Sequence, residues 1–452
     1  MNVIAILDAG KTNKKLFVFD EQYRIVWERS YVFEETKDED GDACEDLEAL
    51  TNWVRDCPAE LKKAGDFKIR AINFSAYGAS LVHIGETGLP LTPLYNYLKS
   101  YPAALTEKFY SRYGGVAELS RVTASPVLGS LNAGLQLYRI REQRPDLFAS
   151  IRYSLHLPQY LSWILTGVAC SDITSIGCHT HLWDFSRQQY HDWVYREGLI
   201  DKLAPIVPLT EMLHLKTSPD CLAGVGLHDS SAAMIPYLER FPEPFVLIST
   251  GTWCISMNPF NQSPLTASEL EKDCLCYLSY QGRPVKASRL FAGYAHEQEV
   301  KKIAGHFNKA MDYFTTLRFD PHLVLFLRSK ASTAAVAPLD WPVGLSAFSQ
   351  RELTDFASYE EAYHQLIMDI MEQQVASTQL VLQGTDTKRI FVDGGFGRNE
   401  VYMHLLAEAF PGMGVFAASI PQASAIGAAL AIHPHWNKGP VPGQLIQLKR
   451  YE

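Results

Sequence analysis

An apolar strand, a short polar turn containing glycine and a second apolar strand occur at two distant places in the chain. The first unit covers residues 3–19, with its turn at 8–15, and the second covers residues 245–255. A third glycine turn, at 389–398, follows an apolar strand and precedes a helical pattern over 399–410. Recurrence of one supersecondary unit indicates a duplicated architecture. We therefore expect an α/β protein of two similar domains, each with a mixed sheet flanked by helices.

Prolines mark the predicted junction between the domains. Pro236, Pro242 and Pro244 cluster near the middle of the chain, and proline disfavours helix and strand interiors because it lacks an amide proton. This predicts domains of residues 1–235 and 236–452. Within the first domain we expect a hairpin at 81–84 with its turn at 85–88, and helices over about 103–165, the last of them a buried helix at 155–165.

Composition excludes several classes of partner. The 452 residues carry a formal net charge of -9, so the chain has no general attraction for nucleic acid or anionic membranes. The N-terminal apolar run is short, and no later stretch reaches the ~18 apolar residues of a membrane helix. Eight cysteines without zinc-ribbon spacing indicate buried, reduced thiols in a cytoplasmic protein.

The first glycine turn has the groups that bind a phosphate. Backbone N–H groups can converge at a glycine turn between strands, and the side chains around it add donors. Asp8, at the end of the strand, could hold a metal ion through water, because Mg2+ prefers one or two carboxylates together with waters and phosphate oxygens. An ordinary hairpin turn with solvated lysines is the alternative. The candidate residues are Asp8, Gly10, Lys11, Thr12, Asn13 and Lys15.

The second and third turns repeat this chemistry. Gly251 and Thr252 lie between two apolar strands, and Gly394 and Gly395 lie where a strand leads into a helix, with Asn399 following. Glycines at such positions let a ligand approach the backbone closely. The third turn lacks the glycine order of a dinucleotide fold, and a small-residue helix follows at 423–431. Plain connecting turns remain the alternative for both.

A carboxylate follows a small-residue strand end at Gly226-Leu227-His228-Asp229. Such a carboxylate could act as a general base if it reaches the proton of a substrate hydroxyl. A capping or surface role is the alternative for Asp229, as for any single aspartate.

The order and spacing of these four features resemble the FGGY carbohydrate kinase family, particularly its rhamnulose and fuculose kinases. The similarity extends from Ile4 to about His433. It implies the actin-like (ribonuclease H-like) fold, with ATP and a sugar in the cleft between two domains, the first domain carrying most sugar contacts. The implied reaction is transfer of the γ-phosphoryl group of ATP to a sugar hydroxyl, with Mg2+ as cofactor. A homodimer is left open.

The resemblance also assigns roles to individual residues. Asp229 takes the place of the catalytic base, and Asp8 and Asp229 lie on the metal side. His228, Gly78 and Tyr97 fall on the sugar side together with Asp229. The nucleotide side comprises Asp8, Gly10, Lys11, Thr12, Asn13, Lys15, Gly251, Thr252, Gln298, Gly394, Gly395 and Asn399.

The chain departs from the family at the segment that grips the sugar. Where the family has a Trp-x-Asp-x-Arg run, residues 95–102 read YNYLKSYP, with Tyr97 at the Trp position and no Asp or Arg. Leu290 stands where rhamnulose kinases carry a sugar-binding Asn, and Lys11 replaces a small hydroxyl residue. These changes favour a less polar sugar, such as a 6-deoxy ketose phosphorylated at C1. Xylulose, ribulose and glycerol remain alternatives within the family.

Two other classes of function compete with a sugar kinase. A chaperone-type ATPase on this fold would need a peptide-binding domain, and the chain ends about twenty residues after the 423–431 helix. A non-catalytic sugar- or nucleotide-binding module would be favoured if Asp229 lay outside the cleft. The acidic stretch 37–48 is expected to be a solvated face, because its glycine is misplaced for a calcium loop. His179 and His181 are expected to share a strand face in surface or capping roles.

Overall fold

The computed structural model describes residues 1–330, 347–420 and 422–452. Its strands are β1 Asn2–Ala9, β2 Lys14–Asp20, β3 Ile25–Tyr31, β4 Thr36–Lys37, β5 Ala43–Cys44, β6 Lys68–Ala76, β7 Leu81–Ile84, β8 Tyr153–His156, β9 Trp183–Asp184, β10 Gln189–Tyr190, β11 Met212–Leu215, β12 Ser218–Gly224, β13 Leu227–His228, β14 Phe245–Thr250, β15 Cys254–Asn258, β16 Cys274–Leu278, β17 Pro284–Leu290, β18 Arg389–Gly394, β19 Gly414–Ser419 and β20 Gln447–Tyr451.

The α-helices of the same residues are α1 Leu47–Ala64, α2 Ala103–Arg112, α3 Gly115–Val122, α4 Ala133–Gln143, α5 Pro145–Ser150, α6 Leu157–Thr166, α7 Ile173–Ile176, α8 Asp192–Arg196, α9 Asp229–Arg240, α10 Ala267–Glu271, α11 Ala292–His306, α12 Pro321–Lys330, α13 Tyr359–Leu382, α14 Glu400–Ala409, α15 Ala423–Ala431 and α16 His433–Trp436. None of the helices in these ranges is both long and apolar enough to cross a membrane.

Two mixed sheets repeat one strand order. In the first, β1 pairs with antiparallel β2 on one side and parallel β6 on the other, and β3 and β12 extend the two sides. In the second, β14 pairs with antiparallel β15 and parallel β18, and β17 and β19 extend the sides. The predicted α/β fold with a duplicated sheet is confirmed.

Apolar runs place β1 and β14 at the centres of the two sheets. Residues 3–7 and 245–248 are buried, as expected for strands covered on both faces. The edge strand β3 is mostly exposed. Local signals also set helix ends: the Asp46 side chain caps α1 by accepting from the Ala49 N–H at 2.8 Å.

Helices α9 and α15 lie between the sheets. One apolar core joins these helices to the inner faces of both sheets, including Ile4 and Phe17 from the first sheet and Leu247 and Phe391 from the second. Two further cores cover the outer faces, one with α1 and α6 and the other with α13 and α14. The two domains are therefore joined through a shared helical layer.

Two local predictions in the first domain hold in part. The chain turns back at residues 85–88, as predicted: Ile84 bridges antiparallel to Pro90, and the Leu91 N–H donates to the His83 carbonyl at 2.8 Å. Strand β7 also pairs with β8, about 70 residues later, and this pairing was not predicted. Leu155 lies in β8, and the predicted buried helix begins two residues later, at Leu157, and ends as expected before Gly167. A contiguous apolar run does not by itself distinguish a buried strand from a buried helix.

The division at residue 235 stays a prediction. Residues 235 and 236 lie inside α9, which contains Pro236 and leads to the second sheet at Phe245.

Candidate active site

A cavity of about 470 Å³ lies at the junction of the two domains. Its lining includes side chains from both sides of the junction: Cys178, His228, Asp229, Ser249, Arg289 and Asp393. Helices α9 and α15 both begin at this cavity, because Asp229 and Ser424 belong to its wall.

Asp229 is the first residue of α9 and projects into the cavity. Its Oδ1 accepts from the Ser230 N–H at 2.6 Å and the Ser230 hydroxyl at 3.2 Å. About a third of the side chain is exposed, and the residue lines the cavity. Burial by the surrounding protein nevertheless raises the pKa of this carboxyl to about 6. A carboxylate with such a pKa can take a proton from a substrate hydroxyl near neutral pH.

His228 contacts both the candidate base and a thiol. Its Nε2 lies 3.4 Å from Asp229 Oδ1 and 3.3 Å from Cys178 Sγ. Burial lowers the pKa of His228 to about 4, so the ring is neutral. Gly78 leaves room for this ring, because a Cβ there would lie 2.7 Å from His228 Nε2.

Two tyrosines and a lysine form the adjacent wall. The rings of Tyr77 and Tyr97 meet edge to face with centroids 6.0 Å apart, and the Lys11 ammonium lies 6.0 Å from each centroid. Lys11 Nζ also lies 3.3 Å from Glu35. The negative charge of Asp229 raises the pKa of Tyr97, after burial itself, so this wall faces the base.

A buried ion pair supports both this wall and the first turn. Lys14 pairs with Glu45, and both side chains are almost fully buried. Lys14 Nζ also donates to the Lys11 carbonyl at 3.1 Å, and Glu45 accepts from the Tyr77 hydroxyl at 2.8 Å. The pair therefore connects the turn backbone to the tyrosine wall.

The first glycine turn is tight and open to solvent. The Gly10 N–H donates to the Asn13 carbonyl at 3.0 Å, and Thr12 and Asn13 are exposed. At the end of β1, burial raises the pKa of Asp8 to about 6, and the charge of Asp229 contributes. The two carboxylates are therefore close enough to repel each other.

The second and third turns interlock. Gly394 has φ +94°, and a Cβ there would lie 2.0 Å from the Thr250 carbonyl. The Thr250 hydroxyl donates to the Asp393 carbonyl at 2.6 Å and accepts from the Phe396 N–H at 3.0 Å. Only glycine fits this approach, so the two turns form one backbone surface.

A second cavity, of about 550 Å³, lies on the other side of these turns. It is lined by Gly251, Gly395, Asn399, His296 and Phe314, among others. Asn399 donates to the Tyr363 hydroxyl at 2.7 Å, and His296 contacts the same hydroxyl at 2.9 Å. Burial lowers the pKa of His296 to about 4. Neutral aromatic walls beside open backbone suit a flat heterocycle joined to phosphates.

Family models match most of this architecture. The model of the FGGY family of carbohydrate kinases, N-terminal domain, matches residues 3–229, which is half of the chain, and two models of its C-terminal domain match residues 242–318 and 361–432. The chain belongs to the FGGY family.

Curated relatives match over part of their length. The chain is 22% identical over 266 residues to a rhamnulokinase from Halalkalibacterium halodurans, covering 56% of each protein. It is 26% identical over 273 residues to an L-fuculokinase from Salmonella typhi, covering 57% of this chain and 56% of the relative. The chain thus spans little more than half the length of the curated relatives it matches.

Solved structures show the same fold. A carbohydrate kinase from Novosphingobium aromaticivorans superimposes with a TM-score of 0.80 at 24% identity, covering 99% of this chain and 96% of that one. A ligand-bound xylulose kinase from Lactobacillus acidophilus gives 0.79 at 17% identity, covering 100% and 94%. The predicted actin-like fold of the FGGY family is confirmed.

Five of the residues predicted from the FGGY resemblance line the two cavities. Asp229 and His228 line the first, and Gly78 and Tyr97 lie beside them through the contacts given above. Gly251, Gly395 and Asn399 line the second cavity. Gln298 does not line it; His296, two residues earlier on α11, does.

Leu290 does not line the first cavity of this FGGY-family protein. It packs against the outer apolar core of the second domain, and Arg289 lines the cavity instead. Arg289 and not Leu290 lines the cavity because successive side chains of β17 point to opposite faces of the sheet. Arg289 lies over the Trp253 ring and makes a two-pronged pair with Asp273.

Several cavity residues escaped the sequence analysis. Arg289, Trp253 and Asp393 line the cavity without belonging to a predicted role. Asp393 accepts from the Tyr237 hydroxyl at 3.0 Å. The only sequence signal for Asp393 was its position directly before the glycines of the third turn.

The prediction that His179 and His181 share a strand face is wrong, and so is a surface role for His181, which is buried, whereas His179 is partly exposed. His179 and His181 have φ of +41° and +62° in a turn and do not lie on a strand. His181 contacts the Tyr110 and Thr123 hydroxyls at 2.8 and 2.7 Å. His179 lines the cavity, and its Nδ1 contacts the Leu131 carbonyl at 3.1 Å.

The acidic stretch is only partly a solvated face. Asp40 and Asp42 are exposed, as expected, whereas Asp38 is buried. All three carboxylates surround the Lys99 ammonium, at 2.5 to 3.2 Å. Lys99, which belongs to the 95–102 segment, thus forms ion pairs with all three carboxylates.

Proposed function

We propose that this FGGY-family protein transfers the γ-phosphoryl group of ATP to a hydroxyl group of a sugar. The observation that carries the proposal is Asp229: a carboxylate of raised pKa begins α9 at the cavity that the two domains share. Among the residues that the structure describes, no lysine or arginine forms an ion pair with this partly exposed carboxylate. A general base in a phosphoryl-transfer site needs this combination of position and basicity.

Asp229 would accept the proton of the attacking sugar hydroxyl. His228, held neutral by burial, would place a hydrogen-bond donor or acceptor beside that hydroxyl without adding charge. Gly78 would let the His228 ring keep this position, because a side chain at residue 78 would displace it.

Asp8 and Asp229 would hold Mg2+, directly or through water. Their fit rests on an observation: both carboxylates are partly buried, and the charge of Asp229, after burial itself, raises the pKa of Asp8, so a cation between them would relieve the repulsion. Mg2+ at this place would neutralise charge on the phosphates of ATP.

The three glycine turns would bind the phosphates and the second cavity the nucleoside. Backbone N–H groups near Gly10, Gly251 and Gly394 are the donors, with Lys15 as the nearby cation. The cavity of about 550 Å³ beside Asn399 adjoins the turns, as the nucleoside of ATP adjoins its phosphates.

For the sugar, we propose a ketose, with a 6-deoxy ketohexose such as rhamnulose or fuculose favoured. The similar rhamnulokinase and L-fuculokinase support this choice. Tyr77 and Tyr97 present aromatic faces where the family grips polar hydroxyls, and a methyl group packs well on such faces. An unpartnered hydroxyl there would be penalised by about 1–3 kcal/mol.

A coupled ADP-release assay across ketoses, aldoses and polyols tests the proposal. We expect turnover with a ketose and about tenfold higher kcat/KM for a 6-deoxy ketose than for its 6-hydroxy counterpart. Asp229→Asn should lower kcat by ~10²–10⁴-fold with little change in ATP affinity. Best turnover with glycerol or an aldose would overturn the sugar assignment, and normal turnover of Asp229→Asn would overturn the role of the base.

The compartment and domain division belong to the same proposal. Eight buried cysteines without a disulfide suit the reducing cytoplasm, where ATP is available. We assign residues 1–235 mainly to the sugar and 236–452 mainly to the nucleotide.

A further inference from the structure

One hydrogen bond joins the metal-side carboxylate of the first domain to a helix of the second. The Ser424 hydroxyl donates to Asp8 Oδ2 at 2.9 Å. Asp8 lies near the end of β1, and Ser424 is the second residue of α15, more than 400 residues later in the chain. The carboxylate that faces Asp229 is thus oriented from the opposite domain.

A second contact crosses at the same place. Lys15 Nζ lies 3.5 Å from Gln422 Oε1. Gln422 precedes α15 with φ +55°, a conformation that residues other than glycine adopt infrequently. The start of α15 therefore meets the flank of the first phosphate turn at two side chains, Lys15 and Asp8.

The position of α15 is fixed by close packing. A Cβ on Gly427 would lie 1.8 Å from the Ala232 carbonyl of α9, so the two helices cross with their backbones in contact. On the other side, Asn73 of β6 donates to the Ala428 carbonyl at 2.8 Å. Ser424 therefore cannot shift relative to Asp8 unless the arrangement of the domains changes with it.

We propose that Ser424 is a positioning residue for Mg2+ binding, an inference that rests on the proposed function. By occupying Oδ2 of Asp8, its hydroxyl turns Oδ1 toward the phosphates. Asp8 then keeps this orienting contact, which adds to that of Ser75 in its own domain, only while the second domain is docked as in this structure. Partners that orient a metal-binding side chain typically contribute 10–100-fold to metal affinity.

The test compares Ser424→Ala and Ser424→Thr by titration calorimetry with ADP, in Mg2+ and in EDTA. In the wild type, Mg2+ should increase the affinity for ADP. In Ser424→Ala this increase should be at least tenfold smaller, and the affinity measured in EDTA should be unchanged. Threonine keeps the hydroxyl and should restore most of the Mg2+ effect. In the double variant Asp8→Asn/Ser424→Ala, the loss should not exceed that of Asp8→Asn alone.

Ser231→Ala is the matched control, because it removes another buried hydrogen bond between α9 and the second sheet, from Ser231 Oγ to the Leu278 carbonyl at 3.0 Å. It should lower the melting temperature as Ser424→Ala does, and leave the Mg2+ effect intact. An unchanged Mg2+ effect in Ser424→Ala, or an equal loss in Ser424→Thr or Ser231→Ala, would overturn the role of Ser424. These binding data need no turnover, so failure of the kinase proposal in the sugar assay is a separate outcome.

Discussion

Burial drives the side chains of His228 and Asp229 toward their neutral forms. It lowers the pKa of the imidazole to about 4 and raises that of the carboxyl to about 6. Of these adjacent groups, only Asp229 therefore titrates between pH 5 and 7. The histidine is already neutral throughout that range.

This difference predicts the pH dependence of the reaction. A general base must be deprotonated, so kcat/KM should fall about tenfold per pH unit below pH ~6 and level off above it. A pH–rate profile with the best sugar of the panel provides the measurement. An acidic limb centred near pH 4 would show that Asp229 is not the titrating base.

The buried pair of Lys14 and Glu45 is predicted to hold the first turn and the tyrosine wall in place. Glu45→Gln leaves the Lys14 ammonium buried without a counter-charge, which typically costs about 3–5 kcal/mol. Urea unfolding should show a loss of this order.

The matched control replaces both charges. In Lys14→Met/Glu45→Leu the stability should be largely recovered, because apolar residues of similar volume tolerate burial. Sugar KM should still rise in that variant, since the Tyr77 hydroxyl loses its acceptor. Equal stability of wild type and Glu45→Gln would contradict the prediction.

Among the elements, those with local signals were predictable. Strand β14, its turn and β15, and the whole of α15, follow from apolar runs and glycines at 245–255 and 423–431. The pairing of β7 with β8 was not predicted, because β8 is remote in sequence and no local pattern specifies a distant partner. His179 and His181 were misplaced because their alternation suggested a strand where the chain makes a turn.

The crossing of α9 and α15 gives a prediction at the element scale. Gly427→Ala forces a methyl group against the Ala232 carbonyl of the facing helix, and overpacking of this kind costs about 1–3 kcal/mol. Differential scanning calorimetry should show a lower melting temperature.

Gly305→Ala is the control, because this glycine of α11 has no atom within 4 Å of an added Cβ. Alanine there should be neutral or stabilise by about 0.5–1 kcal/mol, through its higher helix propensity. A Gly427→Ala protein as stable as Gly305→Ala would mean that α9 and α15 adjust without cost.

At the scale of the whole molecule, the sequence pointed to some residues of each cavity but not to the contacts between domains. Asp229 and the glycine turns stand out within short segments. Ser424 and Asp8, by contrast, are separated by more than 400 residues and meet only when both domains have folded. Arg289 was missed because its orientation depends on the face that β17 turns toward the cleft.

The whole molecule is predicted to be less stable for having Asp229. Because the folded-state pKa is raised, the protein binds this proton more tightly than the unfolded chain does, so stability falls as pH rises from ~4 to ~6. Asp229→Asn should therefore raise the melting temperature at pH 8, by about 2 °C, in EDTA without ligands. At pH 4 the two proteins should melt together. A lower melting temperature of the variant at pH 8 would show that the charge is stabilised in the fold.

Helices α9 and α15 cross where Gly427 meets Ala232, and each begins at the first cavity. The first residue of α9 is Asp229 and the second residue of α15 is Ser424, so a rotation about the crossing would move both residues at the same time. In an open cleft without sugar, the starts of both helices would shift together, and the Ser424 hydroxyl would leave Asp8, which stays on β1. Under the proposed function, ATP bound in that state would be spared hydrolysis by water, so the crossing would limit wasteful consumption of ATP between sugar molecules.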